Sequence, residues 1–305
     1  VVSKATLDDI VPAFLNNSKY NGVAYALPDL ASARALFYNK DILAKAGIKK
    51  LPKTWTELEA TLKTIKAKVK GVYPYVIPLG PEEAQMPFTT WGGGNGARLY
   101  DEKTKKYTIN TKEFKQSTDF MKSLVDQKLT QPNPGKTNRT DGCWALFAKG
   151  KVGFVDGGVF LPDWLSKNGG ENIDWAAGAF PHAPGKSDIT VGVQDYFKGY
   201  KAGGKQKEIQ KFLTFLFQPD NYAGFLKAAG GFIPATKSAG KIAEADPIIG
   251  PYIKLLPKAI FYPGTVGSWQ ACKAAIVTYM GTAMNNTGKA LSSIQAKCDA
   301  ANKKA

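Results

Sequence analysis

Thr54 and Glu57 spell a capping box: a hydroxyl for the N3 amide and a carboxylate that reaches back to the N-cap amide. Leu58, Leu62, Ile65 and Val69 follow at i, i+4, i+7 and i+11, one face of a helix that Gly71 stops. Short apolar runs flank it. Residues 23–27, closed by Pro28, and 35–38 read as strands, and 42–46 as a short helix that Gly47 ends in the left-handed cap. Leu7 to Leu15 reads as helical, with a turn at Asn21-Gly22.

The alternation continues. A helix is expected over 112–128 with Phe114, Met121, Leu124 and Val125 inside, a short helix over 143–149, and a strand over 152–155. Asp156-Gly157-Gly158 then reads as a tight turn into a helix carrying Phe160 and Trp164. Strands are expected near 176–180, 189–194 and 197–200, and a helix over 205–217 with Ile209, Phe212, Leu213 and Leu216 inward. The rest is helical, broken near Pro247, 257–267 and 285–288. Strands alternating with helices imply an α/β fold with mainly parallel sheets. At 305 residues and 44% apolar composition the chain has material for about two domains, each with its own core.

The formal charge is +16, from 41 basic and 25 acidic residues. The lysines are spread along helices and only three arginines occur, Arg34, Arg98 and Arg139, so a solvated lysine surface is expected rather than a nucleic-acid reader. One histidine, His182, and three scattered cysteines do not suit a histidine- or cysteine-rich metal centre, a Ser-His-Asp centre could rest on His182 alone, and no metal or cofactor is expected. Cys272 and Cys298 fall on the last two predicted helices, where a bridge and two free buried thiols both remain open. The Gly92-Gly93-Gly94-Asn95-Gly96 run lacks the Lys-Ser/Thr of a phosphate loop. Glu82 and Glu83 are adjacent and point apart, which does not suit the separated carboxylate pair of a glycosidase. Trp55 reads as core and His182 as a loop residue.

Aromatic residues beside polar ones carry more. Sugar rings have apolar CH faces and hydroxyl edges, which flat side chains and carboxylates or amides hold together. Four such groups occur: Glu83 and Gln85 with Phe88 and Trp91, Asp156 with Phe160 and Trp164, Asp195 with Tyr196, and Trp269 with Ser268 and Gln270. They point to a carbohydrate cleft.

Leu36-Phe-Tyr-Asn-Lys-Asp-Ile-Leu-Ala-Lys-Ala-Gly47 followed by Pro52-Lys-Thr-Trp-Thr-Glu-Leu58 resembles the signature of extracellular solute-binding proteins of the maltose-binding type, the carbohydrate receptors of ABC importers. Phe147 to Gly157, Ile209 to Phe217, Gly230-Gly-Phe-Ile-Pro234 and Trp269 match further family segments in the same order. The resemblance implies a two-lobed periplasmic-binding-protein type II fold with hinge strands, lobe one being residues 1–31 and 195–246, lobe two 32–194 and 247–305. It implies ligand binding between the lobes, closure read by the membrane permease, and no bond made or broken.

By the same resemblance Phe88 is a stacking position with Trp91 on the same segment, Glu83 and Gln85 are polar contacts, and Phe160 or Trp164 substitutes for a family tryptophan where Val159 stands. Asp195 and Tyr196 lie at the expected hinge crossing, and Trp269 is a stacking residue. Ser32 replaces an acidic family position and Arg34 lies close by, which leaves room for an acidic sugar or a phosphorylated ligand. No signal peptide opens the chain at Val1, and in the family a further portion of lobe one precedes Asn21 to Pro28, so lobe one is expected to be incomplete and to invite a second, complementing chain. The implied location is extracellular, as a lipoprotein anchored on the outer face of the membrane, or periplasmic. The competing classes are a carbohydrate-active enzyme with Glu/Asp acid-base residues and a basic nucleic-acid binder.

Overall fold

The helix start at Thr54 is built as its residues spell it. Thr54 accepts from the Glu57 amide, Glu57 accepts from the Thr54 amide, and the helix runs Trp55–Lys68. In the computed structural model, which describes residues 2–20 and 22–304, Leu58, Leu62 and Ile65 are buried on one face while Val69 is the half-buried C-cap. Gly47 closes the helix Lys40–Ala46 at φ 75°, a conformation that strains any residue with a Cβ. Val1, Asn21 of the expected turn, and Ala305 lie outside the described residues.

The chain forms two compact units. Unit one comprises Val1–Arg34, Gly158–Asp163 and Gly192–Thr265; unit two comprises Ala35–Gly157, Trp164–Val191 and Val266–Ala305. Three strands, Arg34–Asn39, Val152–Gly158 and Thr190–Phe197, run from one unit into the other. This division corrects the expected boundaries at two places. Residues 247–265 belong to unit one because the strand Ala259–Phe261 is the edge of its sheet, and 158–163 join it through the Phe160 side chain on Phe232.

Unit one carries a four-stranded sheet in the order Ile233–Pro234, Leu27–Ser32, Thr190–Phe197, Ala259–Phe261. Leu27–Ser32 has antiparallel neighbours on both sides, so this sheet departs from the mainly parallel expectation. Pro28 does not close the strand; the strand continues through it, with a register shift between Gln194 and Tyr196. There Asp29 and Leu30 together oppose Asp195 alone, a bulge next to a residue that has no N–H for the ladder. Phe14 meets Phe261 edge-on at 5.8 Å, and Phe217 stacks on Tyr222 at 4.7 Å.

The expected single helix at the chain start is two, Lys4–Asp9 and Pro12–Asn16, because Pro12 forces Val11 into the extended region. The two strands expected over 189–200 are one, Thr190–Phe197. The helix Gln206–Leu216 buries Leu213 and Leu216 as expected, but Phe212 is 53% exposed.

Unit two's sheet runs Tyr73–Val76, Val152–Gly158, Arg34–Asn39, Trp175–Gly178, with a parallel first pair and an antiparallel last pair. Asp156-Gly157-Gly158 is no turn; it is the buried end of Val152–Gly158. The helices Trp269–Met280 and Thr287–Asn302 lie side by side and are joined by a Cys272–Cys298 disulfide, which decides between the two open readings of those cysteines. The lysine surface is solvated: Lys63 with Glu59, Lys115 with Asp119 and Lys122 with Asp126 are i,i+4 pairs along exposed helix faces.

Candidate functional site

In unit two, chemistry gathers where the segment before the helix Gln85–Gly94 meets the π-helical turn Arg139–Trp144 and the end of Val152–Gly158. Arg139 forms ion pairs with both carboxylates, Nη1 with Glu83 and Nη2 with Glu82 at 3.0 Å. Glu82 also accepts from the Thr140 amide at 2.8 Å and from its hydroxyl. Partial burial pushes Glu82 up, but Thr140 and then Arg139 more than offset it and hold the carboxyl below its ordinary value. The Arg139 guanidinium lies 4.7 Å above the Trp144 ring. Trp144 donates its indole N–H to the Asp156 carbonyl at 2.8 Å and meets the half-buried Trp164 edge-on at 5.6 Å.

Behind this layer Asp156 is fully buried and accepts from the Tyr75 hydroxyl. Burial, then the Asp156 charge, drives the Tyr75 phenol far up, so it stays a donor. Burial, then Asp156, Glu82 and Asp141, also raises the Cys143 thiol, which makes it a packed thiol rather than a nucleophile. Gln85 is 3% exposed, and its Oε1 accepts no hydrogen bond among the described residues. A buried amide oxygen without a donor costs on the order of 1–3 kcal/mol unless something supplies one.

The expected aromatic platform in this unit is corrected. Phe88 is fully buried and stacks on Phe114 at 4.2 Å. Trp91 is 2% exposed among Trp55, Tyr75 and Phe120, with ring centroids 5.5–6.0 Å away. Both face the core because all ten residues of Gln85–Gly94 are buried. Trp269 opens the helix Trp269–Met280 and is 4% exposed. Trp55 is core as expected, and His182 is a loop residue whose backbone pairs with Thr54. Glu83 and Trp164 are linked through Arg139 and Trp144, and Gln85 opens the helix that follows Glu83; Arg139, Thr140, Trp144 and Tyr75 were not singled out by sequence as site residues. The one signal for Arg139 was its rarity, one of three arginines in the chain.

Unit one holds a second group. Ser32 and Arg34 are both buried, and the Arg34 guanidinium lies 5.1 Å above Phe160, which stacks on Phe232 at 5.7 Å. Arg34 is thus layered on an aromatic ring inside its own unit. Tyr196 faces Asn17, donating to its carbonyl at 2.9 Å, and Asp195 stands exposed at the bulge beside Asp29. Burial, then Asp195, raises the Asp29 carboxyl to about 6. Between its ordinary 3.8 and about 6, folded Asp29 holds a proton that the unfolded chain releases, so stability falls as pH rises through that window. Asp29→Asn is expected to flatten this fall and to add about 1 kcal/mol at neutral pH, a value discounted for solvent screening of a half-buried group. Thermal melts of both proteins across the window check it.

A family model described as bacterial extracellular solute-binding protein matches residues 2–223. A binding protein of Brucella abortus (strain 2308) is 32% identical over 268 residues, 85% of this chain and 62% of its own length. The diacetylchitobiose binding protein DasA of Streptomyces coelicolor is 30% identical over 222 residues, 72% of this chain and 51% of its own. The chain therefore spans less than two thirds of the length of these relatives. Among solved structures, the cyclic alpha-maltosyl-1,6-maltose binding protein from Arthrobacter globiformis superposes with a TM-score of 0.82 at 18% identity, covering 100% of this chain and 78% of that one, a likeness of fold.

Proposed function

We propose, for a chain that belongs to the bacterial extracellular solute-binding protein family, that it binds a carbohydrate and delivers it unaltered to the permease of an ABC importer. The protein would work outside the cytoplasmic membrane, periplasmic or anchored to the outer face; among the described residues no helix is long and apolar enough to cross a membrane. The observation that carries the reading is the unit-two cluster. Glu82, Glu83 and Gln85 offer acceptors for hydroxyls or amide N–H groups, and Trp164, half-exposed against Trp144, offers a ring face. Two carboxylates against one guanidinium favour a neutral sugar there over an acidic or phosphorylated one.

Names among the relatives point the same way, one being a diacetylchitobiose binder and another, from Pseudomonas aeruginosa, a mannitol-binding protein. Calorimetric titration of this chain with diacetylchitobiose, mannitol, maltose and glucose tests the reading; heat from none of them, with heat from a peptide or a metal salt, overturns it. Trp164→Ala is expected to weaken the bound sugar by about 1 kcal/mol, or roughly fivefold, measured below the variant's own melting temperature because the ring also packs on Trp144. An unchanged affinity removes Trp164 from the site.

The enzyme reading has less support. Glu82 is held below its ordinary value, the wrong direction for a general acid, and both candidate carboxylates are tied to Arg139. Prolonged incubation with oligosaccharide is expected to leave it intact by chromatography.

A further inference from the structure

Unit one contains an open pocket of about 440 Å3, within the size range of small-molecule sites, that the sugar reading above does not use. Three phenols line it from three separate elements. Tyr20 ends the strand Lys19–Tyr20 and is 60% exposed; Tyr25 follows the strand Val23–Ala24 and is 66% exposed; their rings meet edge-on at 6.4 Å. Tyr196 stands on the strand Thr190–Phe197 with its hydroxyl fixed by Asn17, donating to the carbonyl at 2.9 Å and accepting from the side-chain amide at 3.3 Å. Ser18, Thr265 and Gly264 complete the polar rim. Among the described lining residues the one formally charged group is the exposed Lys198, and none carries a carboxylate.

That composition is the reverse of the unit-two cluster, where carboxylates predominate. Exposed tyrosine faces accept the CH face of a pyranose at low entropy cost, hydroxyls and amides take its edge, and a lone ammonium without a competing carboxylate selects a negative group on the ring.

We infer that this pocket, built by Tyr20, Tyr25, Tyr196, Asn17 and Lys198, binds an acidic saccharide, a pyranose carrying a carboxylate, as a second site distinct from the unit-two cluster. The phenols would stack on the ring while Lys198 pairs with the carboxylate.

The test is titration of the whole chain with trigalacturonate and with its methyl ester, which has the same rings without the charge. The acid is expected to bind at least tenfold tighter than the ester. Lys198→Gln is expected to abolish that difference while leaving the heats of the neutral sugars used above unchanged. Tyr20→Ala with Tyr25→Ala is expected to lower the affinity for the acid at least tenfold. All three side chains project from the surface, so melting temperatures should match the parent protein. Equal affinity for acid and ester, or Lys198→Gln with its preference intact, overturns the inference. So does a double tyrosine variant that binds the acid normally and differs only in sedimentation, which would make the pocket a self-association face.

Discussion

Phe88→Ala is expected to destabilise the protein by about 3–5 kcal/mol, the cost of deleting a fully buried aromatic ring. The ring has no solvent exposure and lies nearly parallel to Phe114, 17° off at 4.2 Å. Phe114 also lies against Gly92, one turn further along the same helix, where a Cβ would fall 2.2 Å from the ring. The helices Gln85–Gly94 and Lys112–Asp126 pack on each other at this contact, so the deleted ring leaves a void at their interface. Urea unfolding measures the loss. Phe88→Leu, which keeps most of the volume, is expected to recover much of it. A variant with unchanged stability and a lost sugar heat would restore Phe88 to the stacking role that the family resemblance suggested.

That misreading shows where sequence stops. Residues 81–96 contain Pro87 and Gly92-Gly93-Gly94, and such a segment reads as a loop with aromatics presented to solvent. Proline is tolerated in a first helical turn, where its missing N–H leaves no bond unmade, and Gly92 allows the close approach of Phe114. Tertiary packing thus decides the helix against its local propensity. The capping box, the Gly47 stop and the inner face of Trp55–Lys68 were legible because each is fixed by neighbours within a few positions. The extension of Val152–Gly158 through two glycines was not, because a buried strand between two others accepts what an isolated one would not.

The site divides along the same line. Glu83, Gln85 and Trp164 stood out by type and company. Arg139 did not, since its partners lie 56 and 57 residues away and its own segment has no apolar period. Arg34 was visible but its use was not. The Phe160 ring that covers it arrives from a crossover segment far along the chain, and only the folded unit shows that the cation is layered on an aromatic. Long-range partners of charged groups are what a single sequence hides: Arg34 meets Phe160, and Arg139 meets Glu82 and Glu83, only in the fold.

Replacing both Cys272 and Cys298 by Ala is expected to cost about 3 kcal/mol and to lower the melting temperature by roughly 8 °C. The bridge spans 26 residues and ties the helix Trp269–Met280 to Thr287–Asn302 across the short turn region Gly281–Met284. In the unfolded chain it removes the freedom of that loop, and in the folded chain both cysteines are fully buried, so alanine leaves only small voids. The effect falls on unit two, whose helical layer brings this pair against Gln85–Gly94 and Lys112–Asp126. A thiol count under denaturing, non-reducing conditions is expected to find one thiol, that of the buried Cys143. Adding dithiothreitol should lower the melting temperature of the parent protein toward that of the double variant and leave the variant where it is. A bridge of this kind persists in an oxidising compartment, in keeping with an extracellular family. Three free thiols in protein purified without reductant, together with a variant that melts with the parent, would remove both the staple and that argument for location.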